Sequence, residues 1–232
     1  NGENASTADI WKGETCTVRE LWYAMLLPSA NEAALMLAGY ISGGYLPNFL
    51  YLRNQKAQAL GCTGTIFTDP NGLSEGNLTT AHDMALIMRA FMQYPTLVEI
   101  AAAGQYEMPA HNHSGPYNIL TTNRFMVAND SYTQKYRMEG VILAGKTGSL
   151  GEWQNFVSCA EKSGERYICV VLGSPNSADP VAPELESSRY RPALCESAEI
   201  YNWAYKNYAV QPALDISKPI AEVKVKYYTA QD

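Results

Sequence analysis

An α+β fold is predicted for this 232-residue chain by three observations. Capped, periodic helical segments occupy the chain as far as Ala103, short β-rich segments separated by turns follow it, and an amphipathic helix comes late. Helices grouped first and strands later are the pattern of an antiparallel sheet with segregated helices, not of alternating α/β units. Thr17-Val18-Arg19-Glu20 reads as a capping box, so a first helix should run from Val18 to Leu27 and stop at Pro28. Asn31 is placed as the N-cap of a second helix over "EAALMLAGYIS", which Gly43-Gly44 ends. Ser29-Ala30-Asn31 therefore falls at the junction of two helices.

A third helix is expected from Pro47 to Leu60, and "TDPNGLSEGN" is a long turn-rich segment. Thr80 with Asp83 should open a fourth helix, and Pro95 to Ala103 a short fifth. The strand candidates are "QYEMP", "YNILTTN", "GVILAGKTG", "WQNFVSCAE" and "RYICVVLGS". The last two flank Lys162-Ser163-Gly164-Glu165, a hairpin signal. Cys159 and Cys169 lie on those two strands; one register would face them for a disulfide and a shift by one would separate them. "RPALCESAEIYNWAYKNYA" supplies the late helix, and the alternating "PIAEVKVKYYTAQD" reads as the start of something further. The expected division is a main domain over 1–215 and the start of a C-terminal domain or linker over 216–232.

With 47% apolar residues the chain can bury a sizeable core. A net charge of −6 without a Lys/Arg block argues against nucleic acid as a partner, because phosphate binding needs a concentrated basic face. No run of 18 apolar residues and no signal-peptide pattern is present, which fits a mature exported protein. The five cysteines form no CxxC spacing. His111 and His113 make an H-x-H pair that could begin a metal site, but no third ligand is evident in sequence, so both are read as loop residues.

Two short pieces carry the chemistry. Lys146-Thr147-Gly148 follows an apolar strand and offers a cation, a hydroxyl and room for another backbone, a combination suited to a carboxylate-bearing ligand. Ser29 could relay a proton and Asn31 could bind a substrate amide. Neither tripeptide is specific alone. Their order and surroundings, however, resemble the S-x-N and K-T-G motifs of penicillin-binding proteins and class A β-lactamases. "LWYAMLLPSANEAALMLAGYISG", "FTDPNGLSEGNLTTAHDMALIMRA", "GVILAGKTG" and "ICVVLGS" together resemble the low-molecular-mass penicillin-binding proteins of peptidase family S11, the serine-type D-alanyl-D-alanine carboxypeptidases.

The resemblance implies a penicillin-binding protein/β-lactamase-like fold, an antiparallel sheet flanked by helices beside a mostly helical subdomain. It implies removal of the terminal D-alanine from a peptidoglycan stem pentapeptide through an acyl-serine intermediate, trapping by β-lactam antibiotics, and no cofactor. It assigns Ser29, Asn31 and Lys146 to catalysis. Lys146, Thr147, Gly148, the backbone N–H of Ser149 and an arginine near the final helix, Arg191 or Arg189, are assigned to substrate binding. Asn71 stands where the family often has histidine, and "SLGEWQNF" departs from the family's usual continuation after K-T-G, so Leu150, Glu152 and Trp153 put leaving-group preference in question.

No serine in this chain begins an S-x-x-K motif, which in the family supplies the nucleophile and lies upstream of S-x-N. The chain is therefore expected to be the larger remnant of such an enzyme, with its own cleaved N-terminal fragment as a partner, or else a natural pseudoenzyme. An exported protein at the cell surface, with any C-terminal membrane anchor beyond the chain, is the expected setting. A D,D-endopeptidase, a class A β-lactamase-like hydrolase, for which Glu75 is the only nearby glutamate, and a non-catalytic peptidoglycan-binding module are the alternatives.

Overall fold

The computed structural model describes residues 5–130, 133–134, 136–175 and 192–209. Helix α1, Val18–Leu26, begins at the expected capping box: the Thr17 side chain accepts from Glu20 N while the Glu20 carboxylate accepts from Thr17 N. Helix α2, Asn31–Ser42, ends at Gly43, whose φ of 63° is the left-handed conformation that glycine adopts without Cβ strain. Its N-cap is Ala30, not Asn31, and no side chain caps it. The Ser29 backbone at φ 65° turns the chain so that Ala30 takes the extended cap position and Asn31 enters the first turn. Helices α3, Leu46–Ala59, α4, Ala81–Phe91, and α5, Pro95–Ala101, follow, with Thr80 capping α4 by accepting from Asp83 N.

Strands β1, Gln105–Met108, and β2, Tyr117–Leu120, form a small antiparallel hairpin. The main sheet is antiparallel in the order β3-β4-β5, with β3 spanning Val141–Leu150, β4 Trp153–Lys162 and β5 Glu165–Pro175. The β4–β5 hairpin turns on Ser163-Gly164, both with positive φ (53° and 85°), as a two-residue turn of the primed kind requires. The register pairs Cys159 with Ile168 and Cys169 with Ser158, so the two cysteines point to opposite faces and no disulfide joins them.

The main sheet is covered on both sides. On one face Phe156, Ala160, Cys169 and Val171 pack with Leu194 and Tyr201 of helix α6, Pro192–Asn207. On the other, Ala144, Val157 and Cys159 pack with Met88 of α4 and Ala101 of α5. A separate core joins α1 and α2 to Ile100 and to the β1–β2 hairpin through Met108 and Ile119, with Tyr23 stacked on Tyr106 at 3.8 Å. The α+β architecture with an antiparallel sheet flanked by helices is the one expected. The tail from 216 onward lies outside the described residues, and among the described residues no helix is long and apolar enough to cross a membrane.

Candidate active site

Ser29 lies in the link after α1, at the edge of the helical subdomain, and Lys146 lies midway along β3. The Lys146 Nζ donates to Ser29 Oγ at 2.7 Å, joining the two motifs across 117 residues of sequence. A second Nζ hydrogen bond goes to the Thr147 carbonyl at 2.7 Å. Both partners are neutral, and desolvation lowers the Lys146 pKa from its ordinary 10.5 to about 8. An ammonium held by neutral acceptors and short of solvent is poised to gain from a negative charge placed beside it.

Ser29 is in the left-handed region, where an L-residue is disfavoured by ~1–2 kcal/mol. Backbone bonds around it resist relaxation: Ala30 N donates to the Ala24 carbonyl at 3.0 Å, and Asn31 N to the Ser6 carbonyl at 2.9 Å. A non-glycine residue strained in this way between two helices is an observation that points toward function. Asn31 is buried, and its Nδ2 donates to the same Ser6 carbonyl at 2.9 Å. One of its two amide protons is therefore held by the segment before α1. That segment is held on α2 by Glu32 Oε1, which accepts from Thr7 Oγ1 at 2.7 Å and Ala8 N at 2.6 Å.

Thr147 faces a partner that sequence reasoning missed. Its Oγ1 lies 2.6 Å from Thr122 Oγ1. Thr122 also donates from its backbone N, at 2.9 Å, to the Leu27 carbonyl, two residues before Ser29, and its hydroxyl reaches the same carbonyl at 3.3 Å. Thr122 thus ties the end of α1 to β3 beside the Ser29–Lys146 bond. Nothing local in "YNILTTN" signals this, because its partners are 95 residues before it and 25 after it. Gly145 allows the close approach behind Lys146: a Cβ there would sit 2.9 Å from the Phe156 ring and 3.1 Å from Asn123 Nδ2.

Gly148 has no comparable constraint within the chain, since its nearest neighbour to a built Cβ is Asn155 at 3.7 Å. Among the described residues β3 pairs only with β4, so its other edge, along Lys146-Thr147-Gly148-Ser149, is open to an added strand. The structure thus brings Ser29, Lys146, Thr147 and Thr122 together and leaves Gly148 and Ser149 on that edge. Arg191 and Arg189 lie outside the described residues.

The family model for D-alanyl-D-alanine carboxypeptidase, peptidase S11, matches residues 1–176. The D-alanyl-D-alanine carboxypeptidase DacF of Bacillus subtilis is 28% identical over 217 residues, 92% of this chain and 49% of that protein. DacB2 of Mycobacterium tuberculosis, another D-alanyl-D-alanine carboxypeptidase, is 32% identical over 164 residues, 69% of this chain and 52% of its own. The chain thus spans about half the length of the curated relatives it matches. The crystal structure of a D-alanyl-D-alanine carboxypeptidase from Mycobacterium tuberculosis covers 92% of this chain, with 72% of its own chain covered, at a TM-score of 0.69 and 25% identity. The Streptomyces K15 DD-transpeptidase shares the fold at a TM-score of 0.67 and 24% identity, over 87% of this chain and 73% of its own. Two motifs at one wall, the sheet and helices that hold them, and a family match over most of the sequence lead to one conclusion: the chain belongs to the peptidase S11 family of D-alanyl-D-alanine carboxypeptidases.

Proposed function

We propose that this chain forms the substrate-holding wall of a serine D,D-carboxypeptidase acting on the peptidoglycan stem peptide at the extracytoplasmic cell surface. The observation that carries the reading is the 2.7 Å bond from Lys146 Nζ to Ser29 Oγ. It sets a hydroxyl able to pass a proton beside a cation able to hold a carboxylate, at the open edge of β3.

The pentapeptide lies along β3 as an added strand, with its terminal carboxylate received by the Lys146 ammonium and the Thr147 hydroxyl. The nucleophilic serine, which this sequence does not contain in an S-x-x-K motif, comes from a segment outside it. Its Oγ attacks the carbonyl of the penultimate D-alanine, and the oxyanion is stabilised by its own N–H and that of Ser149. Ser29 hands the displaced proton to the leaving D-alanine nitrogen as the C–N bond breaks. Water then hydrolyses the acyl-serine. Asn31 Oδ1 accepts from a substrate amide N–H, and the second Nδ2 proton, the one not held by the Ser6 carbonyl, is left for a substrate carbonyl. Arg191 or Arg189 is assigned the remaining contact to the carboxylate by the family resemblance. β-Lactams occupy the same wall and acylate the same serine.

The test uses the complete protein, incubated with benzylpenicillin and followed by intact mass. A long-lived covalent adduct and release of D-alanine from a stem pentapeptide are expected. Rapid turnover of the penicillin would favour a β-lactamase and sink the carboxypeptidase reading. Absence of any S-x-x-K serine in the complete protein would leave a peptidoglycan-binding module.

A further inference from the structure

His111 lies in the connection between β1 and β2, against the start of α1. Its side chain is 5% exposed, and neither ring nitrogen has a hydrogen-bond partner. Its Nε2 lies 3.5 Å from Glu20 Oε2, a long contact within ion-pair distance but without hydrogen-bond geometry. An imidazole this buried, with Nδ1 unmet and Nε2 only in a long contact to the Glu20 carboxylate, is costly unless something absent from the protein meets one of them. Beside it stand Cys16, just before the Thr17 cap, and Glu20, in the first turn of α1. The sulfur of Cys16, a carboxylate oxygen of Glu20 and a ring nitrogen of His111 all lie within 4.8 Å of one another.

We propose that Cys16, Glu20 and His111 bind a zinc ion, with water in the fourth position. Two atoms bound to one tetrahedral zinc stand about 3.3–3.7 Å apart, so small side-chain rotations close this set around an ion. A thiolate, an imidazole and a carboxylate form a mixed donor set that suits zinc and not magnesium or calcium, which take oxygen ligands. Other bonds fix the ligands in advance. Glu20 Oε2 accepts from Thr17 N at 2.6 Å, and Asn112 locks the loop, accepting from Thr15 N at 3.1 Å and donating to the Gly13 carbonyl at 2.8 Å. Glu14 stands outside the cluster, its oxygens accepting from Ser114 Oγ and Trp11 N. His113 is exposed and stands outside the cluster. On binding, the Cys16 thiol releases its proton to solvent and its sulfur bonds the metal. The ion would staple the start of α1 to the β1–β2 connection, at the opposite end of the helix from Ser29.

The experiment takes the complete protein stripped with a chelator and titrates it with zinc and with cobalt(II). One equivalent should bind, and the cobalt form should show visible bands of tetrahedral intensity with a thiolate-to-metal charge-transfer band. Cys16→Ser should abolish that band and weaken zinc by at least 100-fold, and His111→Gln should weaken it by at least tenfold. Zinc should also slow alkylation of Cys16 in the unaltered protein at least tenfold, a readout that needs no variant to fold; Cys62, Cys159, Cys169 and Cys195 are buried and serve as the background. Binding of zinc undiminished by Cys16→Ser, or alkylation of Cys16 unaffected by zinc, would overturn the proposal.

Discussion

Ser29 combines a strained backbone with the hydroxyl proposed as the proton relay, and two substitutions separate them. Ser29→Gly removes the hydroxyl but relaxes φ 65°, whereas Ser29→Ala removes it and keeps the strain. Both should lower kcat/KM of the complete enzyme by about 10²-fold or more, since each deletes the proton relay. In thermal melts the Ala variant should be the less stable by about 1 kcal/mol. Equal activity of Ser29→Gly and the parent would remove the relay. On the proposed reading, Lys146 sets the alkaline limb. With its pKa lowered to about 8, the charged form that grips a carboxylate prevails below that pH and is lost above it. kcat/KM for stem pentapeptide should therefore fall as pH rises through about 8, whereas kcat should hold to higher pH, because bound carboxylate favours the ammonium. A flat profile from pH 7 to 9.5 would contradict this. Thr122→Val should cut kcat/KM by about tenfold while costing about 1 kcal/mol, since it loses the hydroxyl contacts but keeps the backbone bond to Leu27.

Element boundaries were legible wherever a local cap set them. The box at Thr17 and the cap at Thr80 are formed as the sequence implied, and Thr80→Ala should lower stability by about 1 kcal/mol in denaturant unfolding. Asn31 was misread because cap identity depends on the preceding backbone: a left-handed Ser29 shifts the cap to Ala30, and no propensity scale reports that. The cysteine question on β4 and β5 needed a register that alternation alone leaves open, and the Ser163-Gly164 turn fixes it. Within β3 the tightest requirement is Gly145. Gly145→Ala drives a Cβ into Phe156 and should cost about 1–3 kcal/mol, seen as a lower melting temperature. At the start of α4, hydrogen bonds from Thr65 Oγ1 at 2.7 Å and Gly64 N at 2.8 Å hold the Asp83 carboxyl below its ordinary pKa. A depressed carboxyl stabilises the fold above its unfolded pKa, and that stability is lost as pH falls through the folded value. The melting temperature should therefore drop below about pH 4, and Asp83→Asn should flatten that drop.

Across the whole molecule, the S-x-N and K-T-G motifs could be paired from sequence by family pattern, but what presses them together could not. Thr122 and the packing of α4 and α5 on the sheet involve contacts with no local signature. The metal cluster was invisible for the same reason: His111 meets Cys16 and Glu20 only because the β1–β2 hairpin folds back onto α1. The reach of the Ser29–Lys146 bond has a kinetic consequence. Closing a loop of 117 residues opposes that contact by about 4 kcal/mol of chain entropy, more than one hydrogen bond returns. The site is therefore assembled late, after the sheet and the helical subdomain have each condensed and docked. During refolding, tryptophan and amide signals should recover before the capacity to bind a β-lactam does. A variant that loosens the docking would keep its secondary structure and lose the Ser29–Lys146 contact.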